Sequence, residues 1–273
     1  MTHASSIGKS WLLTWRWRVV ALAAMALGAP AAAADSYSTD WAPAAKSEAR
    51  LIAGGGALAG FEIRLAPGAI TYWRDPGESG VPPTFDFSGS NNVADVSPRF
   101  PAPKRIEEPD GSEAFGYEGG GVIPLKITPR DPTKPVTLSL LASYAVCEKL
   151  CLPAKAKLTL TLSGGESPYA AKVEAALAAA PRAIAPEAFG ALTGDSAGGW
   201  RLCTPRAPGP PRDLFVEPPQ GWWVTAAPAP GDAGQDCFAI SLHDRPKDEA
   251  PPVPLRLTMT GGAGPVETTV IAR

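Results

Sequence analysis

The chain has 273 residues and a formal net charge of −2, with 25 Lys and Arg set against 27 Asp and Glu. That mildly acidic balance excludes the basic footprint that nucleic-acid binding needs. The 28 glycines and 31 prolines fall between short alternating runs, where they punctuate strands rather than mark low complexity.

At the start of the chain Lys9, Arg16 and Arg18 precede an apolar run from Val19 to Ala29, and Ala31 to Ala34 lead into Asp35. This order predicts a signal peptide over residues 1–34, cleaved near Ala34. The stretch Val19 to Ala34 is interrupted by Gly28 and Pro30 and is shorter than the roughly 20 residues of a membrane span. The mature chain is therefore expected to carry no membrane span. Cleavage removes three cations and no anions, which takes the formal charge from −2 to −5. About 240 residues then remain, a length suited to two domains of roughly 110 each.

Strand-like runs follow at Gly60 to Leu65, Ala69 to Trp73, Val93 to Ser97, Gly121 to Thr128, Val136 to Ala142 and Lys157 to Leu162. Each is short and bounded by Pro, Gly or Asp, as in a β-sandwich. Between Ser167 and Leu192 the period changes: Tyr169, Val173, Ala176, Leu177 and Ala180 fall at helical spacing, with Pro181 and Pro186 closing the run. A short helix and linker are expected there.

Beyond the linker the first half recurs in order. Gly60 to Leu65 is echoed by Gly199 to Leu202, and Val93 to Pro103 by Leu214 to Trp223. The clearest echo joins Val122 to Ile127 and Val136 to Leu140 with Cys237 to Leu242 and Val253 to Leu257. The first copy inserts Tyr144 to Pro153, with both local cysteines, where the second has only Gly261 to Pro265. The cysteine loop is thus dispensable to the fold.

In an exported chain the four cysteines are expected in disulfides, a local pair Cys147 and Cys151 and a distant pair Cys203 and Cys237. On the chain-entropy model the distant bridge stabilises by nearly 4 kcal/mol and the short ring by about 2. The distant pair reads as a structural disulfide. For the short pair the spacing leaves a hairpin staple and an exchange site both open. Lys149 would favour a thiolate and Glu148 oppose it. Tyr144, three residues before Cys147, is a candidate cover for the sulfurs, with ordinary packing as its alternative.

The stretch Tyr144-Ala145-Val146-Cys147-Glu148-Lys149-Leu150-Cys151-Leu152-Pro153, with Tyr72 to Gly77 and Pro82 to Asp86 upstream, resembles the N-terminal periplasmic domain of DsbD and ScsB thiol-disulfide interchange proteins. The resemblance covers Tyr37 to Leu162 well and the second half more loosely. It implies two tandem immunoglobulin-like β-sandwiches: an all-β redox domain over residues 35–165, a helical linker over 166–195 and a second sandwich over 196–273. It further implies a periplasmic oxidoreductase that takes electrons from a membrane electron carrier of the DsbD or CcdA kind. These pass to periplasmic thioredoxin-fold disulfide proteins, without a bound cofactor. By the same analogy Cys151 forms the mixed disulfides, Cys147 resolves them, and a cap over Tyr72 to Gly80 shields both, with Tyr72 and Trp73 as capping residues. The Cys-x3-Cys spacing departs from the best-known DsbD proteins and agrees with the ScsB type.

Rival readings are a copper- or zinc-binding module and a scaffold with two structural disulfides. Ligand supply disfavours the metal, because His243 is the only histidine after residue 34 and Met259 is isolated. His243, read as lying in a turn, also leaves hydrolytic chemistry without a base. The cluster Glu107-Glu108-Pro109-Asp110 reads as an exposed turn.

Overall fold

A computed structural model describes residues 37–108, 111–162, 164–195 and 198–273. The signal peptide expected over residues 1–34 lies outside the described residues. Among those described, no helix is long and apolar enough to cross a membrane.

The strands of the first half are β1 (Ala42–Ala44), β2 (Ser47–Gly55), β3 (Leu58–Leu65), β4 (Ile70–Gly77), β5 (Thr84–Asp86), β6 (Val93–Pro98), β7 (Lys104–Glu107), β8 (Glu113–Glu118), β9 (Gly120–Pro129), β10 (Val136–Cys147) and β11 (Cys151–Leu162). One sheet runs β1-β2-β3-β9-β6; the other runs β11-β10-β4-β8-β7, with β5 also on β10. Phe61, Leu51 and Leu125 from the first sheet meet Leu138, Leu140 and Trp73 from the second in a common core. Strand β11 shows why these residues pair: Ala154, Ala156, Leu158, Leu160 and Leu162 are buried, whereas the intervening Lys155, Lys157, Thr159 and Thr161 are exposed. A period of two puts one set on the core face, and lysines on an edge strand discourage further pairing.

The helical expectation resolves into α1 (Ala170–Ala178) and, after the short strand β12 (Arg182–Ala183), α2 (Pro186–Phe189). Helix α1 lies on the outer side of the first sheet, with Val173 buried against Ile52 and Val122. Gly60 makes that docking possible, because a Cβ there would stand 2.7 Å from Val122 and 3.1 Å from Val173. Glu62, buried on the same side, accepts hydrogen bonds from Arg50 (2.8 Å) and Lys172.

The second half adds β13 (Ala191–Gly194), β14 (Trp200–Pro205), β15 (Asp213–Glu217), β16 (Trp223–Ala229), β17 (Gln235–Asp244), β18 (Val253–Thr260) and β19 (Val266–Ala272). Its sheets run β12-β19-β18-β15 and β13-β14-β17-β16 around Trp200, Leu202, Phe238, Ile240, Leu255 and Leu257. The fold is therefore all-β, with two immunoglobulin-like sandwiches joined through short helices.

Strand pairing repeats with the sequence: β14 lies on β17 as β3 lies on β9, and the β18–β19 hairpin matches β10–β11. One echo is displaced. Val93 to Pro98 pairs with β9, whereas Leu214 belongs to β15 and pairs with β18; the strand that takes the place of β6 is β16. Two apolar strands of similar length look alike in sequence, and only their neighbours distinguish them. The sandwiches meet at Phe215, which leaves its own core to pack edge-on against Trp73 (6.0 Å) and Phe115 (4.8 Å) of the first.

Candidate thiol-disulfide site

The β10–β11 hairpin places Cys147 directly opposite Cys151, with Glu148, Lys149 and Leu150 as the connecting loop. The two are joined in a disulfide with Cα atoms 4.1 Å apart. Cys147 is buried and Cys151 is exposed. Leu150 beside it is 72 % exposed, so an apolar side chain stands next to the exposed cysteine.

Strand alternation decides what else reaches the bridge. On β10, Tyr144 and Val146 face the sandwich core, while Ala145 and Cys147 face outward. On β4, Trp73 faces the core, while Ile70 and Tyr72 face outward. Tyr72, Ala114, Ala145 and Cys147 thus form a small apolar cluster of their own on the outer face of the sheet.

The Tyr72 hydroxyl lies 2.8 Å from Cys147 Sγ and 3.3 Å from Cys151 Sγ. It also donates to Glu108 Oε1 at 3.0 Å. Both sulfurs and this carboxylate can accept the phenolic proton, since disulfide sulfurs accept only, and the carboxylate is the strongest acceptor of these. A sulfur that becomes a thiolate would compete for that proton.

Of the three cap candidates, then, the structure brings Tyr72 to the sulfurs. Trp73 packs in the core against Phe215, with the Arg74 guanidinium 4.2 Å over its ring. Tyr144 packs against Phe61 and bonds Ser47 Oγ at 3.0 Å, and burial raises its pKa. Three residues along a strand is an odd step, so Tyr144 and Cys147 point to opposite faces.

The cap segment follows Tyr72 as a bulge: four residues, Trp73 to Pro76, separate Tyr72 from Gly77, whereas Phe115 alone separates their partners Gly116 and Ala114 on β8. The chain then returns over Tyr72, so close that a Cβ on Gly80 would stand 2.5 Å from the Tyr72 ring. Glu108 corrects the reading of its segment as a plain exposed turn. Its contact with Tyr72 spans 36 residues, and nothing local in the sequence announces it.

In the loop Lys46 pairs with Glu148 and, by that hydrogen bond, lowers its pKa. The charge that opposes a thiolate is thereby offset, and Lys149 is left on the favourable side. His243 sits on β17 rather than in a turn, bonded to Thr225 Oγ1 at 2.7 Å and packed on Trp223. Cys203 and Cys237 are bridged across β14 and β17 with Cα atoms 4.2 Å apart. Among the described residues, no group of three or more His, Cys, Asp or Glu is gathered for a metal ion.

Fold and site together define a class: an immunoglobulin-like sandwich that presents a tyrosine-covered cross-strand disulfide at the end of a hairpin. Residues 41–163 match the model of the family described as "Thiol:disulfide interchange protein DsbD, N-terminal". Among solved structures, the N-terminal periplasmic domain of ScsB from Proteus mirabilis is similar in fold, with a TM-score of 0.71 at 20 % identity, covering 87 % of this chain and 98 % of that one. That coverage extends beyond the first sandwich to the second. No curated protein matches the chain.

Proposed function

We propose that the protein is a periplasmic thiol-disulfide exchange protein. Its Cys147–Cys151 bridge takes reducing equivalents from a membrane electron carrier of the DsbD or CcdA kind and passes them to thioredoxin-fold periplasmic disulfide proteins. The observation that carries this reading is the asymmetry of the bridge: Cys151 is exposed, while Cys147 is buried with the Tyr72 hydroxyl 2.8 Å from its sulfur.

A partner thiolate attacks Cys151 Sγ, the Cys147–Cys151 bond breaks, and Cys147 departs as a thiolate. Tyr72 is placed to hydrogen-bond that departing charge. The partner's second thiolate then attacks its own sulfur in the mixed disulfide and releases Cys151. The partner ends as a disulfide and this protein as a dithiol, two electrons and two protons richer. In the onward step Cys151 attacks a target disulfide, and Cys147 closes the bridge again, releasing the target as a dithiol. Trp73 and Tyr144 support this site from the core side of the strands that carry it.

The test is the reduction potential of each bridge in the mature protein, equilibrated in glutathione or dithiothreitol buffers and read by alkylation and mass spectrometry. A value above about −250 mV for Cys147–Cys151, with Cys203–Cys237 still bridged, is expected; values below about −300 mV for both pairs would leave two structural staples and overturn the reading.

A further inference from the structure

The segment that carries Tyr72 is costly to hold where it is. Among the described residues, the buried side-chain polar atoms without a hydrogen-bond partner are Trp73 Nε1 and Ser79 Oγ, and both lie in it. Burial also raises the pKa of Asp75 between them. Such groups favour release of the segment to water. Burial of the Tyr72 and Trp73 rings opposes that release, and contacts with the second sandwich oppose it further.

Arg74, two residues after Tyr72, reaches into the second sandwich. It makes a bidentate pair with Glu217 (2.9 and 2.7 Å) and a further bond to Glu267 (2.8 Å). Arg256 of β18 also bonds Glu267 at 2.8 Å. Arg105, three residues before Glu108, makes a second bidentate pair with Asp213 (3.1 and 3.0 Å) while holding Glu113 of β8 at 2.6 Å. Between the two arginines Phe215 enters the first core against Trp73 and Phe115. Both groups on the Tyr72 hydroxyl side of the bridge are therefore carried by segments clamped to strand β15. The forked guanidinium geometry fixes orientation as well as distance.

We infer that the second sandwich is the brace of the shield: Arg74 and Arg105 are positioning residues that, through Glu217, Glu267 and Asp213, set how firmly Tyr72 and Glu108 cover the Cys147–Cys151 bridge. Its consequence for reactivity rests on the exchange function proposed above; its geometry does not. Removing one partner of a largely buried ion pair leaves the other uncompensated, so the closed position loses its advantage and the covered sulfurs open to attack.

The experiment measures glutathione attack on each bridge of the whole mature protein, by timed alkylation and mass spectrometry, in Arg74→Gln, Glu217→Gln and wild type, each also with Tyr72→Ala. Arg74→Gln is expected to accelerate reduction of Cys147–Cys151 about tenfold and Glu217→Gln about threefold, with Cys203–Cys237 unchanged as the internal control. With Tyr72→Ala in place neither should add anything, an outcome that general loosening of the fold would not produce. Unchanged rates in the folded variants, or equal acceleration without Tyr72, overturn the brace. Amide hydrogen exchange over Tyr72 to Gly80 decides the same point without thiol chemistry: it should quicken in Glu217→Gln. A wild-type bridge that glutathione cannot reduce would count against the exchange function, while the amide measurement would still judge the brace.

Discussion

The two disulfides are a natural comparison because their bonding geometry is nearly the same. Each joins residues directly opposite on neighbouring antiparallel strands, with Cα atoms 4.1 and 4.2 Å apart. Their settings differ. Cys147–Cys151 closes the end of a hairpin, beside an exposed leucine and under a tyrosine hydroxyl. Cys203–Cys237 lies in the interior of a four-stranded sheet, flanked by Ala191 of β13 and Ala229 of β16. Gly231 covers the second bridge, where a Cβ would come within 2.8 Å of Cys237 Sγ. Reactivity follows from what surrounds the sulfur and from how much chain the bond encloses, not from the pairing itself.

The sharpest way to break this comparison is to remove one sulfur from the hairpin. Cys147→Ala should stay folded and accumulate mixed disulfides through Cys151 with a thioredoxin-fold partner, visible on non-reducing gels; an unfolded variant with no trapped species would sink the proposed roles. The double variant Cys203→Ala/Cys237→Ala should do the opposite. It should lose about 4 kcal/mol in urea unfolding, against about 2 for loss of the short ring, yet retain exchange at Cys147–Cys151. Equal losses from the two bridges would erase the distinction.

Tyr72→Phe refines the contrast at the level of one atom, because it keeps the covering ring and removes the donor to the departing Cys147 sulfur. Glutathione reduction of Cys147–Cys151 should slow about tenfold, and that of Cys203–Cys237 should not change. The smallest effect concerns pH. Burial alone would raise the Glu62 carboxyl, but hydrogen bonds from Lys172 and Arg50 outweigh it and hold the pKa below the ordinary range. A lowered folded-state pKa contributes stability that is full above about pH 5 and fades as pH falls through the folded value. Glu62→Gln should therefore flatten the decline of Tm between about pH 5 and 3, while exchange at neutral pH stays as in the wild type. A slope identical to wild type would remove Glu62 from the account.

Much of this is legible in the sequence. The recurring short apolar runs, the helical break after Ser167 and the missing cysteine loop in the second copy all have counterparts in the strand pairing. The period of two that buries alternate residues of β11 also separates Tyr72 from Trp73 and Tyr144 from Cys147. Alternation by itself excludes Tyr144, an odd step from Cys147, whereas the choice of Tyr72 over Trp73 depends on how β4 is set beside β10. The displaced echo of Val93 to Pro103 shows the opposite case, since an apolar strand does not state which neighbour it will take.

Sequence alone therefore determined the all-β architecture, the repeat and the cysteine pair, because these depend on local periodicity, turn residues and spacing along the chain. Tertiary structure decided which aromatic hydroxyl meets the sulfurs, that Glu108 joins it, and that Arg74 and Arg105 bind β15 across more than a hundred residues. Those contacts arise from how two sheets and two sandwiches dock. Docking is set by the sum of many weak packing terms, and no short stretch of sequence carries it.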